Sequence, residues 1–149
     1  MSVEPVVRRM TAVDVDLCRS IEGDARRHLL DQRGGRAWLA EHPELPSGWS
    51  DWPAVSLVAT IDEAVVGLLV ATIDDEPGRG RIMRIDRVHV VPEARGIGCG
   101  DALLDAAFAA ADGCAYLEAT VLPGDRETKN LYERAGVTAR AIVVSRELD

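Results

Sequence analysis

Between Arg87 and Leu104 the chain reads Arg-Val-His-Val-Val-Pro-Glu-Ala-Arg-Gly-Ile-Gly-Cys-Gly-Asp-Ala-Leu-Leu. A β-branched run ends at Pro92, turns through Arg95, Gly96, Ile97, Gly98, Cys99 and Gly100, and enters an alanine- and leucine-rich helical stretch. The first turn of a helix holds unpaired N–H groups and a partial positive charge, so phosphate oxygens settle there. Gly96, Gly98 and Gly100 let the main chain approach such an anion closely. The chemistry implied is the binding of a pyrophosphate-bearing cofactor.

Spacing narrows the cofactor. A dinucleotide fingerprint, Gly-x-Gly-x-x-Gly, would need its third glycine at Asp101 or Leu103, and neither is glycine. A P-loop needs a lysine that the segment lacks. What is present is Arg-x-x-Gly-x-Gly, at Arg95, Gly98 and Gly100, after a Val-x-Val strand and a Pro-Glu-x-Arg turn. A second motif, Asn130-Leu131-Tyr132-Glu133-Arg134-Ala135-Gly136, follows downstream.

On these two motifs the chain resembles the GCN5-related N-acetyltransferase (GNAT) family. The resemblance implies a single α/β (α+β) domain over residues 1–149, with a mixed sheet flanked by helices. It also implies an acetyl-CoA-dependent N-acetyltransferase that passes its acetyl group to a primary amine by direct attack. The turn from Arg95 to Gly100 would cradle the pyrophosphate of acetyl-CoA. The main chain of Val88, His89 and Val90, on a strand splayed from its neighbour, would pair with the pantetheine arm. A basic residue often stands where this chain has Ile97, so one charge contact to the phosphates is missing. Tyr132 takes the position of the general acid, since a phenol is protonated at neutral pH and can protonate a departing thiolate. Seven residues before it the family often has a cofactor-contacting asparagine. Here stands Asp125, a carboxylate that accepts rather than donates, and Asn130 is the substitute on offer.

The general base has two candidates. Asp86 shares strand parity with Val88 and Val90 if no bulge intervenes, which makes it a candidate; it reads equally as a solvated strand residue paired with a neighbouring arginine. Glu118, on the following strand, is the alternative. His89 has the opposite parity to Asp86, and its side chain reads as structural. Trp38, Trp49 and Trp52 fall in the region that walls the acceptor pocket in the family. They read equally as that wall, where aromatic faces attract a cation, or as core filling in a chain with only 4% aromatic residues. A non-catalytic acyl-CoA-binding module, or a transferase of longer acyl chains, would use the same turn. Amine size, from small molecule to peptide or protein, stays open, and a homodimer is a family-level expectation.

The elements that must position these residues are legible in outline. Residues 3–9 read as a strand, and Thr11 with Asp14 opens a helix carrying Leu17, Ile21, Ala25, His28 and Leu29 on one face. Gly34-Gly35 breaks it, a short helix over 36–40 follows, and 41–53 is a loop. Residues 56–61 and 65–73 form a hairpin about Asp62-Glu63, 74–80 is a turn, and 81–91 delivers the chain to the glycines. A helix from Gly98 to near Gly113, a strand over 116–122, a helix over 126–135 and a closing strand within 137–148 complete the order β-α-α-β-β-β-α-β-α-β.

Composition sets the outer bounds. The 149 residues suffice for one hydrophobic core, with 47% hydrophobic and 28% charged side chains. Seventeen basic against 25 acidic residues give a net charge of −8, which disfavours nucleic acid as a partner. The N-terminus lacks a signal-peptide core and no run reaches a membrane span, so a cytoplasmic protein with no membrane partner is expected. Cys18, Cys99 and Cys114 have neither disulfide-framework nor zinc spacing, so no metal is expected. Cys99 reads as a small buried side chain rather than a reactive thiol.

Overall fold

A computed structural model describes residues 3–149. Its sheet grows from two apolar runs, β2 (Val55–Ile61) and β3 (Ala64–Glu76), each buried on both faces. They are joined by Asp62 and Glu63, both at positive φ (49° and 69°), the hairpin geometry that glycine and asparagine usually supply. β1 (Val6–Arg9) pairs with β2, and β4 (Gly80–Val90) with β3, all antiparallel. β5 (Tyr116–Ala119) joins β4 in parallel, giving the order β1-β2-β3-β4-β5.

Helices cover both faces. Alternate strand residues Leu57, Ala59, Leu69, Ala71, Met83 and Ile85 pack with α3 (Cys99–Ala110) and α4 (Arg126–Arg134) through Leu103, Leu104, Ala107, Leu131 and Tyr132. The intervening Val58, Leu68 and Val70 pack against α1 (Val15–Leu29) and Trp52. A short helix, α2 (Gly35–Glu41), follows α1. The expected cap at Thr11 is present: its N–H donates to Asp14 Oδ2 at 2.8 Å, and Arg8 clamps the same carboxylate at 2.7 and 2.9 Å.

Three expectations change. β3 and β4 extend through the expected turn at 74–80, because Asp74 and Asp75 pair with Ile82 and Arg81 in the ladder and leave a reversal of three residues. β5 stops at Ala119, short of residue 122. The closing strand is absent among the described residues. The segment 138–149 has no regular structure and no ladder partner, and a β-prone run forms a strand only against an edge. The sheet therefore has five strands, not six.

The interior of β4 holds the feature that matters most for the site. Val70 pairs with Arg87 and Ala71 with Ile85, so Asp86 is an extra residue in a β-bulge. Met83 and Ile85 face α3 and α4, and so do Val88 and Val90; the odd step from 85 to 88 is the mark of the bulge. The shared parity of Asp86 with Val88 and Val90 is thereby broken.

Candidate active site

The site lies where two parallel strands end. β4 and β5 pair only from Ile82 with Tyr116 to Ile85 with Ala119, while β4 runs on to Val90. Val88, His89 and Val90 are thus held by β3 on one side and free on the other. Crevices beyond the carboxyl ends of parallel strands are where open α/β sheets bind ligands.

The glycine turn caps this opening. A short helical turn over Pro92–Ala94, pinned by buried Ala94, carries the chain to Arg95. Gly96 and Gly98 adopt φ of +80° and +89°, and an added Cβ would meet no atom within 4 Å at either position. Their requirement is conformational. Gly100 differs: its Cβ would stand 3.2 Å from Leu131 Cδ2, so its smallness seats α4 against the first turn of α3. Ala102 donates to Gly98 O at 2.9 Å as the first helical bond. Among the described residues, no N–H from Gly96 to Asp101 donates to a carbonyl or side chain. Six consecutive amides are left free through the turn and the first residues of α3, a stretch suited to a diphosphate.

α4 is tied to this corner by one face. Glu127 meets Arg95 at 3.4 Å, Leu131 packs on Gly100, and Arg134 meets Asp101 at 3.1 Å. Asn130 is exposed and shares that stripe by its spacing from 127 and 134. Asp125 caps α4, its Oδ1 accepting from Thr128 N at 3.2 Å. Tyr132 is only 4% exposed, in the same core as Cys99, Val88 and Val90. Burial, with a smaller push from the nearby Asp125 carboxylate, drives its phenol well above the ordinary tyrosine value. It stays a proton donor across the working pH range. Cys99 is 2% exposed and burial raises its thiol, which fits the structural reading.

The two base candidates fare differently. Glu118 is held by Arg79, with Nη2 to Oε2 at 2.5 Å, which keeps its carboxyl below the usual range. An acid so engaged is a poor proton acceptor. Asp86 is half-buried in the bulge beside Arg87.

Sequence reasoning missed the cluster behind the bulge. Arg87 Nε stands 2.8 Å from Glu22 Oε1, an ion contact without hydrogen-bond alignment, and Glu22 Oε2 accepts from Leu45 N at 3.0 Å. The Arg87 guanidinium also lies 5.7 Å over Trp38, which stacks on His42 with ring centroids 4.1 Å apart. Trp38 and Trp52 are buried, whereas Trp49 is partly exposed. A cleft of about 260 Å³ beside Trp49 and Trp52 is lined by Arg9, Met10 and Ser56 and shares no residue with the glycine turn. His89 faces the same side as Arg87. Burial, then Arg87, lowers its imidazole to about 4, and its Nε2 has no partner among the described residues.

A sequence model of the acetyltransferase (GNAT) family matches residues 19–137. The chain belongs to the GNAT acetyltransferase family. Solved structures agree on the fold. The ribosomal-protein-alanine N-acetyltransferase of Brucella melitensis biovar Abortus 2308 superposes with a TM-score of 0.71 at 21% identity, covering 98% of this chain and 99% of that one. A putative acetyl transferase from Pyrococcus furiosus gives 0.73 at 18%, covering 97% and 100%. An aminoglycoside N-acetyltransferase crystallised with CoA gives 0.64 at 19%, covering 99% and 98%. Membership in this family supports acyl transfer as the coarse activity. No helix among the described residues is long and apolar enough to cross a membrane.

Proposed function

We propose that this GNAT protein is an acetyl-CoA-dependent N-acetyltransferase acting on a primary amine by direct transfer. The observation that carries the proposal is the run of six free amides, Gly96 to Asp101, at the end of a β4 that is unpaired toward β5. Those amides and the α3 N-terminus take the pyrophosphate, and Arg95 adds a cation once it releases Glu127. The free side of Val88–Val90 pairs with the amides of the pantetheine arm. Acetyl-CoA supplies a thioester whose carbonyl the amine attacks, a C–N bond replacing the C–S bond.

Tyr132 returns a proton to the sulfur as it departs, the phenol being fully protonated at neutral pH. Asp86 takes the amine proton from the bulge, directly or through water. Asp86 is the extra residue of the bulge, next to the stretch of β4 that has no β5 partner. Direct attack is favoured over an acyl-enzyme because the thiol at the turn, Cys99, is buried and raised in pKa.

The test is thiol release from acetyl-CoA in the presence of a panel of amines, including polyamines, aminoglycosides and peptides. Turnover with at least one amine, and formation of its acetamide by mass spectrometry, is expected. Binding of acetyl-CoA with no release across the panel would favour a non-catalytic module.

A further inference from the structure

The face of β4 that looks away from α3 and α4 carries a charged cluster to which the acyl-transfer reading gives no task. Arg87 pairs in the ladder with Val70, so its side chain lies on the α1 side of the sheet. It belongs to the stretch of β4 beyond Ile85 that has no β5 partner, next to Val88. On the opposite side Val88 and Val90 pack into the core that holds Tyr132 and Cys99. An amine therefore reaches the opening from the α1 side, past Arg87.

Arg87 is held in place on three sides. Its Nε stands 2.8 Å from Glu22 Oε1, its Nη2 donates to Pro43 O, and its guanidinium lies 5.7 Å over Trp38. The loop it meets is fixed in turn by α1: Arg26 donates to His42 O at 2.5 Å, and Glu22 accepts from Leu45 N at 3.0 Å. Nη1 is the exception. It donates to no group among the described residues, and 8% of the Arg87 surface stays open. A planar cation already fixed in orientation, with two N–H donors still to give, is preorganised for a carboxylate.

Charge points the same way. Among the described residues, Glu22 is the one carboxylate in ion-pair contact with Arg87, and it is shared with Arg26 at 3.8 Å. Burial lowers the Arg87 guanidinium from its ordinary value despite the pull of Glu22 and Asp86, and Arg26 adds to the fall. His89, on the same side, is lowered by burial first and then by Arg87, Arg26 and Arg95, with Asp125 alone opposing. This side of the opening is short of negative charge, on a chain whose net charge is −8. Such a wall repels a polyamine and attracts an anion. We infer that the acceptor amine carries a carboxylate of its own, bound through Arg87 Nη1, so that Arg87 sets specificity and the acceptors are amino acids. The inference rests on the acyl-transfer reading and names its acceptor class.

Thiol release from acetyl-CoA tests it across a series of α-amino acids, each run beside its carboxamide and its decarboxylated amine at equal concentrations of the neutral amine. In at least one set kcat/KM should be about 10-fold or more higher for the amino acid than for either analogue, with the difference in KM. The variant is Arg87→Met made together with Glu22→Gln, so that no buried carboxylate is left without its cation. It should keep CoA affinity within about 2-fold of the wild type and lose the preference for the carboxylate. Arg87→Lys, which keeps the charge and loses the planar head, is the fallback if the double variant does not fold, and should cut the preference about 3-fold or more. A wild type with no such preference in any set, or a preference undiminished in the variant, would overturn the inference. Release with the analogues alone sinks it and leaves the acyl-transfer reading standing. No release from any member of the series fells that reading, and the inference with it.

Discussion

At the residue scale the account places the acid on Tyr132. Tyr132→Phe removes one oxygen from a side chain whose packing stays intact, so kcat should fall about 10-fold or more while the dissociation constant for CoA changes by less than about 2-fold. Steady-state kinetics beside calorimetry checks this, and unchanged kcat removes the assignment. His89 offers a second reading. Its folded pKa of about 4 lies below the ordinary 6.5, so between those values the unfolded chain binds a proton that the folded chain refuses. Stability from this group is full above pH 6.5 and declines as the pH falls toward 4, by on the order of 3 kcal/mol. Urea melts of the wild type should therefore steepen across that window relative to His89→Gln. Parallel curves would show that the imidazole is not the group responsible.

The glycine turn was legible because three glycines, an arginine and a proline mark it in six to nine adjacent positions. The bulge at Asp86 was not: no glycine or proline announces it in Arg-Ile-Asp-Arg-Val-His-Val, and only the register with β3 reveals the extra residue. The Glu22–Arg87 contact was equally hidden, since it joins α1 to β4 and no local spacing links them.

At the scale of elements, α4 and the α3 N-terminus act as one unit through Leu131 on Gly100 and two flanking ion pairs. In Glu127, Leu131 and Arg134 the helical spacing of that face was readable, but its target was not, because a stripe shows which residues travel together and not what they meet. The closing strand failed for the complementary reason: its β-branched run is genuine, and strand formation awaits an edge. The Arg95–Glu127 pair is exposed, so it is worth at most about 1 kcal/mol. It nonetheless competes with any phosphate for the guanidinium. Glu127→Gln should tighten CoA binding by about 2- to 5-fold at low salt, with the gain fading as salt rises. Calorimetry at two ionic strengths reads this directly, and weaker binding in the variant would mean that Glu127 helps the cofactor rather than opposing it.

At the scale of the whole molecule, the proposed function asks an acidic chain of net charge −8 to hold a polyanion. Long-range attraction works against that, so the affinity must come from local dipoles: amides fixed by two left-handed glycines and backed by a helix whose packing seats them. The five-stranded sheet serves this by ending β5 at Ala119 while β4 runs on to Val90, with helices packed on both faces. The most direct test is a nitrogen-15 amide titration with CoA, run beside pantetheine, which lacks the diphosphate. The account predicts that CoA produces its largest amide shifts from Gly96 to Asp101, while pantetheine leaves those six resonances in place. Shifts centred elsewhere, or the same response to both compounds, would contradict it.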